Sequence, residues 1–194
     1  MKIGIIDYNA GNVQSVQFAL QRLGFSGNVL LHADELHKCD KIIFPGVGHA
    51  RPAMERLRER NLEQFIRECR KPFLGICLGM QLLCRYSDEG ETECSGVFDL
   101  TVKRFASAKL KIPHVGWNTL HNTRGKLFAR EFENTSVYFV HSYYVPLNEW
   151  TSAVCNYGVD FSAAFERDNF FGMQFHPEKS GEPGERLLNK FLRL

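Results

Sequence analysis

Pro72-Phe73-Leu74-Gly75-Ile76-Cys77-Leu78-Gly79-Met80-Gln81 is the stretch from which the rest of the chain can be read. An apolar run of strand length ends at a cysteine with a glycine two residues away on each side, and a helix-like pattern follows at once. A strand–elbow–helix turn of this kind needs glycines, because neighbouring Cβ atoms would collide with the backbone where the chain bends sharply. The turn lifts Cys77 out of the sheet onto a helix N-terminus, where free N–H groups and the macrodipole favour a thiolate. The spacing therefore marks Cys77 as a nucleophile. A free cysteine is more often a small buried hydrophobe. That reading suits Cys69 and Cys84, at apolar positions of helical patterns, and Cys155 in a strand-like run, while Cys39 and Cys94 sit in polar loops.

Upstream, Ile3, Ile5 and Ile6 make a short strand ending at Asp7, and Val16, Ala19, Leu20 and Leu23 recur at helical spacing until Gly24. Strand candidates at 28–31 and 41–44 follow, the second running into Pro45-Gly46-Val47-Gly48. A helical stripe then spans 52–70 with a break near Asn61. Short apolar strands alternating with helices predict an α/β fold with an open, mostly parallel sheet covered on both faces, and ligands at the carboxyl ends of its strands. Beyond Tyr86 the helical spacing stops. Strand-like pieces at 97–105 and 111–115, with a loop at Gly116-Trp117-Asn118, predict a β-rich insertion. Further strands are expected at 136–140, 150–156, 161–166 and 170–175, and a closing helix carries Leu187, Leu188, Phe191 and Leu192 on one stripe.

The 194 residues, 44% of them hydrophobic, suffice for one domain spanning 1–194 with a full core. A net charge of +2 with both signs interspersed leaves no electrostatic footprint for nucleic acid or an anionic membrane. The N-terminus enters a strand without the segments of a signal peptide, and no apolar run approaches spanning length. Six cysteines without a C-x-x-C pair fit reduced thiols and a cytoplasmic location, with no metal site or cofactor.

A cysteine nucleophile needs a base, and the base needs an orienting group. His176-Pro177-Glu178 supplies both, since residues two apart on an extended backbone point to the same side. Of the other histidines, His32, His37 and His121 read as surface residues, His49 as a helix cap, and His114 and His141 as structural residues beside apolar strands. Acyl transfer also requires N–H donors for an oxyanion. Leu78, the residue after the nucleophile, offers one, and Val47 in the 45–48 loop offers another. That loop lacks the Gly-Lys-Ser/Thr sequel of a phosphate-binding loop.

Together, Gly75-Ile76-Cys77-Leu78-Gly79-Met80-Gln81, the preceding Pro45-Gly46-Val47-Gly48 and the following Phe175-His176-Pro177-Glu178 resemble the class I, triad-type glutamine amidotransferases. Within that class Asp7-Tyr8-Asn9-Ala10-Gly11-Asn12, Pro113-His114-Val115-Gly116-Trp117-Asn118, Tyr138-Phe139-Val140-His141-Ser142-Tyr143-Tyr144 and His176-Pro177-Glu178-Lys179-Ser180-Gly181 resemble the glutaminase subunits of imidazole glycerol phosphate synthases. The likeness covers essentially the whole chain. It departs in Ala10, where many members have glycine, and in the variable 87–108 region.

The resemblance implies that Cys77 attacks the side-chain amide of glutamine, that His176 protonates the departing ammonia and later activates water, and that Glu178 orients His176. It implies that Gln81, Glu89 and backbone groups of Gly46, Ser142 and Tyr143 hold the glutamine. It places Asn12, Trp117, Tyr138 and Lys179 against a partner cyclase of TIM-barrel fold, which receives the ammonia in a heterodimer. A branch of the same family aminates precursors of bacterial surface sugars. A self-sufficient γ-glutamyl thiol hydrolase and a non-enzymatic interaction module are further expectations for such a scaffold.

Overall fold

The computed structural model describes residues 1–8, 12–106 and 110–194. Asn9, Ala10 and Gly11 of the first motif, and residues 107–109 of the insertion, lie outside the described residues. In chain order the first half runs β1 (Ile3–Ile6), α1 (Val13–Arg22), β2 (Gly27–Leu30), α2 (Ala33–Leu36), β3 (Lys41–Gly46), α3 (Ala50–Glu59), α4 (Leu62–Glu68), β4 (Phe73–Cys77) and α5 (Leu78–Leu82). The second half runs β5 (Cys84–Ser87), β6 (Thr92–Glu93), β7 (Phe98–Arg104), β8 (His114–Thr119), β9 (Ser136–His141), β10 (Tyr143–Tyr144), β11 (Thr151–Asn156), β12 (Asp160–Arg167), β13 (Phe170–Met173) and α6 (Gly181–Leu192).

Seven strands form the main sheet in the order β11-β12-β13-β4-β3-β1-β2. The five from β13 to β2 pair in parallel, and β12 and β11 continue antiparallel from β13. The inner parallel strands have both faces covered: β1, β3, β4 and β13 are buried along their whole length, while the edge strand β2 is partly exposed. Two apolar clusters flank the sheet. One holds α1 and α6, with Leu20, Leu187 and Phe191; the other holds α3 and α4, with Met54, Leu57 and Phe65. The helical stripe at 52–70 breaks where expected, because Asn61 adopts a left-handed φ of 56° between α3 and α4.

The expected β-rich insertion consists of a four-stranded sheet, β10-β7-β5-β6, and the β8–β9 hairpin pair. Three local expectations are corrected. Cys84 lies on β5, not on a helix, because residues 73–84 are buried throughout and show no polar face to set a helical period. Gly116, Trp117 and Asn118 form no loop; they pair with Phe139, Tyr138 and Val137 inside β8. Pairing starts at His114 because Pro113 has no N–H to donate. Cys39 and Cys94, expected in polar loops, are buried like the other cysteines. Among the described residues, no helix is long and apolar enough to cross a membrane.

Candidate active site

Cys77 closes β4 and caps α5 with φ 53° and ψ −110°, a left-handed conformation that a non-glycine residue holds only when its surroundings impose it. The surroundings are tight. A Cβ on Gly79 would overlap the Phe44 carbonyl oxygen, and one on Gly75 would lie 2.8 Å from both the Gly79 oxygen and the Met80 nitrogen. β3, β4 and α5 thus converge at distances only glycine permits. The register pairs Gly46 with Cys77, which sets the 45–48 loop beside the nucleophile. α5 is only five residues long, so its dipole is small and the main positive partner of a thiolate is the neighbouring His176 ring.

β13 lies beside β4, and the chain leaving it carries Gln174 and then His176 to the same end of the sheet. Glu178 comes back to the ring through a single 3-10 turn, Pro177–Lys179, rather than by strand alternation. His176 Nδ1 donates to Glu178 Oε1 at 2.8 Å, and both side chains are buried. The histidine backbone is pinned as well: its N–H donates to Tyr138 O at 2.9 Å, and its carbonyl accepts from Ser180 Oγ at 2.6 Å. Burial opposes a charge on His176, but the charge and hydrogen bond of Cys77 and the Glu178 carboxylate outweigh it. Its pKa rises to about 10. The ring is thereby held as an imidazolium beside the Cys77 sulfur. By contrast, burial pushes the thiols of Cys39, Cys69 and Cys84 up, and those of Cys94 and Cys155 to about 12, which keeps them protonated and inert.

A cavity of about 310 Å³ opens over Cys77, with His176, Val47 and Leu78 near the thiol and Gln81, Glu89, Ser142 and Tyr143 on its walls. Val47 is 38% exposed, on the loop that reaches the cavity. Leu78 is the first residue of α5, where an N–H has no intrahelical acceptor. Gly46 does not line the cavity; it is packed behind it, where a Cβ would press on Leu78 and the Tyr8 hydroxyl, and Gly48 takes the wall position. Gln81 Nε2 donates to Tyr143 O at 2.9 Å and to Gln174 Oε1 at 2.8 Å. Such a site can form an acyl-thioester and pass one proton out and back through His176.

The family model for class-I glutamine amidotransferases matches residues 4–194. The chain belongs to this family. It is 53% identical to imidazole glycerol phosphate synthase subunit HisH of Bacteroides fragilis, 50% to that of Bacteroides thetaiotaomicron and 44% to that of Escherichia coli K12, each alignment covering all of both chains. Among solved structures it is similar to a glutamine amidotransferase (TM-score 0.77, 21% identity, 100% of this chain and 98% of the other). It is also similar to a glutamine amidotransferase from Thermotoga maritima (TM-score 0.64, 20% identity, 100% of this chain and 83% of the other). These likenesses establish the α/β amidotransferase fold.

The amidotransferase face around the cavity carries the other expected residues. Trp117, 58% exposed, meets Tyr138 across the β8–β9 pair with ring centroids 5.9 Å apart. Lys179 is exposed at the cavity rim, and α1, which Asn12 starts, packs beside the Pro177–Lys179 turn. Asn12 is half-buried and caps α1 through its side chain, which accepts from the Ser15 N–H.

Three features escaped sequence reasoning. Gln174 is fully buried, and its Nε2 lies 3.8 Å from Cys77 Sγ while Oε1 holds Gln81. Tyr143 O can only accept, so Gln81 turns its NH2 toward it; Gln174 must then turn Oε1 toward Gln81 and its own NH2 toward the sulfur. The alternation Gln174, His176 was a visible signal. The second feature is a histidine pair. His141 Nδ1 donates to Tyr143 O at 2.7 Å, so its Nε2 accepts from His114 Nδ1 at 3.0 Å, and His114 Nε2 accepts from Asn118 at 3.3 Å. Burial lowers the pKa of His114 to about 4 and that of His141 to about 3, the latter against the Tyr143 hydrogen bond and with the help of the neighbouring His176 charge. Both rings are thus held neutral. Third, His49 begins α3 but makes no capping bond; Glu89 Oε2 takes the Ala50 N–H instead, at 2.8 Å.

Proposed function

We propose that this chain is the glutaminase subunit of an imidazole glycerol phosphate synthase, one amidotransferase domain working in the cytoplasm beside a cyclase barrel. The observation that carries the reading is Cys77 on a strained elbow, at a cavity shared with the buried His176–Glu178 pair. The Cys77 thiolate attacks the side-chain carbonyl of glutamine, and the oxyanion forms against the N–H groups of Val47 and Leu78. The tetrahedral intermediate collapses, the C–N bond breaks, and the His176 imidazolium gives its proton to the departing ammonia. Neutral His176 then takes a proton from water, whose oxygen attacks the γ-glutamyl thioester. Glutamate leaves and the thiolate–imidazolium pair is restored. Glu178 holds the ring through Nδ1 and stabilises its charge.

Gln81, Glu89, Ser142, Tyr143 and the 47–48 backbone hold the glutamine on the cavity walls. The full-length likeness to HisH subunits supports a cyclase partner that converts the nucleotide substrate with the released ammonia. Trp117, Tyr138, Lys179 and Asn12 form the docking face. The test is glutamate release from glutamine by the chain alone, then with a histidine-pathway cyclase barrel and its nucleotide ligand. Strong stimulation by the liganded barrel supports the reading. Full activity without it points to a free-standing γ-glutamyl hydrolase, and silence in both points to a different synthase partner.

A further inference from the structure

The seven-stranded sheet borders a second concavity, at the end away from Cys77. It lies where β4 and β13 begin: Phe170 pairs with Phe73 there, and Cys77 closes β4 about 13 Å further along. The cavity measures about 430 Å³, and among the described residues its wall carries the guanidinium groups of Arg67, Arg70, Arg85 and Arg167 against one carboxylate, Asp168. The hollow at the α3–α4 junction shows the contrast, since Arg58 and Arg67 are balanced there by Glu63 and Glu68. The four arginines come from separate places. Arg67 stands in the last turn of α4, Arg70 just beyond it, Arg85 on β5 and Arg167 at the end of β12. Cations near a helix C-terminus complement its dipole. That accounts for Arg67 and Arg70 at most, because Arg85 and Arg167 belong to no helix.

The set is held in place and only partly spent. Arg67 Nη2 meets Glu63 at 2.7 Å, but Glu63 also serves Arg58 at 2.9 Å, so one carboxylate is divided between two cations. Arg85 Nε meets Asp99 at 2.7 Å. Arg167 donates to Val97 O and lies over the rings of Phe98 and Trp150, 4.6 and 5.1 Å from their centroids. Its Nε is 3.7 Å from Asp168. Arg70 has no partner among the described residues. Each guanidinium has five N–H donors, so most of them stay uncommitted. Asn169 Nδ2 donates to Cys69 O at 3.0 Å and to Lys71 O at 2.8 Å, which ties the turn after Arg167 to the chain on either side of Arg70. We infer that this cavity binds a small oligophosphate, two or three linked phosphoryl groups gripped by several guanidinium forks at once. Guanidinium geometry matches phosphate oxygens in pairs, and its weak hydration makes the exchange of water for phosphate cheap. A monoanion would leave most of the donors idle, whereas a triphosphate has charge and oxygens for all four arginines. The site goes beyond the glutaminase reading and shares no residue with the cavity over Cys77.

The test is calorimetric titration of inorganic tripolyphosphate, and separately of adenosine triphosphate, into the full chain at fixed ionic strength without divalent metal. Saturable one-to-one binding is expected, weakened at least tenfold by Arg70→Gln or Arg85→Gln and lost when both are changed. Both side chains are exposed, so the variants keep the fold, checked by circular dichroism, and they keep the wild-type rate of glutamine hydrolysis. Equal affinity for the two probes supports the proposal and assigns the site to the phosphate chain alone; tighter binding of the nucleotide supports it and adds contacts to the nucleoside. Binding that does not saturate, that sulfate at equal charge reproduces, or that survives in the double variant overturns it. A last arm repeats the titration on Cys77→Ala saturated with glutamine. Unchanged affinity is expected, and displacement by glutamine overturns the proposal by placing the anion over Cys77 instead.

Discussion

Replacing Glu178 by Gln removes a charge and leaves the shape. The carboxylate is buried, its Oε1 accepts from His176 Nδ1 at 2.8 Å, and its Oε2 has no partner among the described residues. A hydrogen bond to a charged group contributes roughly 1.5–3 kcal/mol and a neutral one roughly 0.5–1.5, so the exchange takes about 1–2 kcal/mol from the imidazolium. At 1.36 kcal/mol per pH unit, that moves the His176 pKa from about 10 down by about one unit. The sign is fixed. His176 stays protonated up to its raised pKa, so the acid that serves ammonia departure is lost as pH climbs through about 10 in the wild type and about one unit lower in the variant. Deacylation, in which His176 becomes charged, slows about 5–30-fold at neutral pH by the same arithmetic. If the new amide turns its NH2 toward Nδ1, the ring is forced into the wrong tautomer and the loss grows toward about 10⁴-fold. The assay is glutamate formed in quenched samples from pH 7 to 11, in the cyclase complex. An unchanged alkaline limb with a rate within about twofold of wild type would refute the role given to Glu178.

Gly79→Ala places a methyl group on the Phe44 carbonyl oxygen and should cost about 3 kcal/mol in urea unfolding; a loss under about 0.5 kcal/mol would mean that β3 and α5 can separate freely. Gln174→Leu keeps the volume but removes the donor to Cys77 Sγ and strands one N–H of Gln81, so kcat should fall about tenfold or more with the fold retained, read by steady-state kinetics and circular dichroism. The neutral His114–His141 pair gives stability that is present above the ordinary histidine pKa and is lost as pH falls toward about 4 and about 3, because the unfolded chain binds protons the folded one refuses. The two rings interact, so they titrate as a pair and the loss is shared between them. Urea midpoints between pH 6.5 and 4.5 should slope downward in the wild type and flatten in His114→Asn/His141→Asn, and equal slopes would contradict the assignment.

The elbow was legible because its chemistry is local. Gly75, Cys77 and Gly79 need nothing beyond ten residues to be read, and the strain at Cys77 and the crowding at both glycines agree with that reading. His176 and Glu178 were legible for the same reason, although a 3-10 turn rather than strand alternation brings them together. The parallel sheet followed from continuous apolar runs at β1, β3 and β4, which only a doubly covered sheet can bury. Contacts between distant segments were not legible. Nothing near Glu89 says that it meets Ala50, and nothing near His114 says that β8–β9 pairing sets its ring against His141. Cys84 was misassigned because residues 73–84 are buried all round, and hydrophobic periodicity needs a wet face before it can distinguish a helix from a strand. Gln174 could have been found from its two-residue spacing to His176, but a buried glutamine announces itself only through its partners, Gln81 and Cys77.

The most direct test of the account is mass spectrometry of the chain in its cyclase complex, acid-quenched during turnover of glutamine and digested to locate the covalent intermediate. A γ-glutamyl thioester on Cys77 alone, absent in Cys77→Ala together with glutamine hydrolysis, is the predicted result. Full glutamine hydrolysis by Cys77→Ala, or an acyl group carried by any other cysteine, would contradict it.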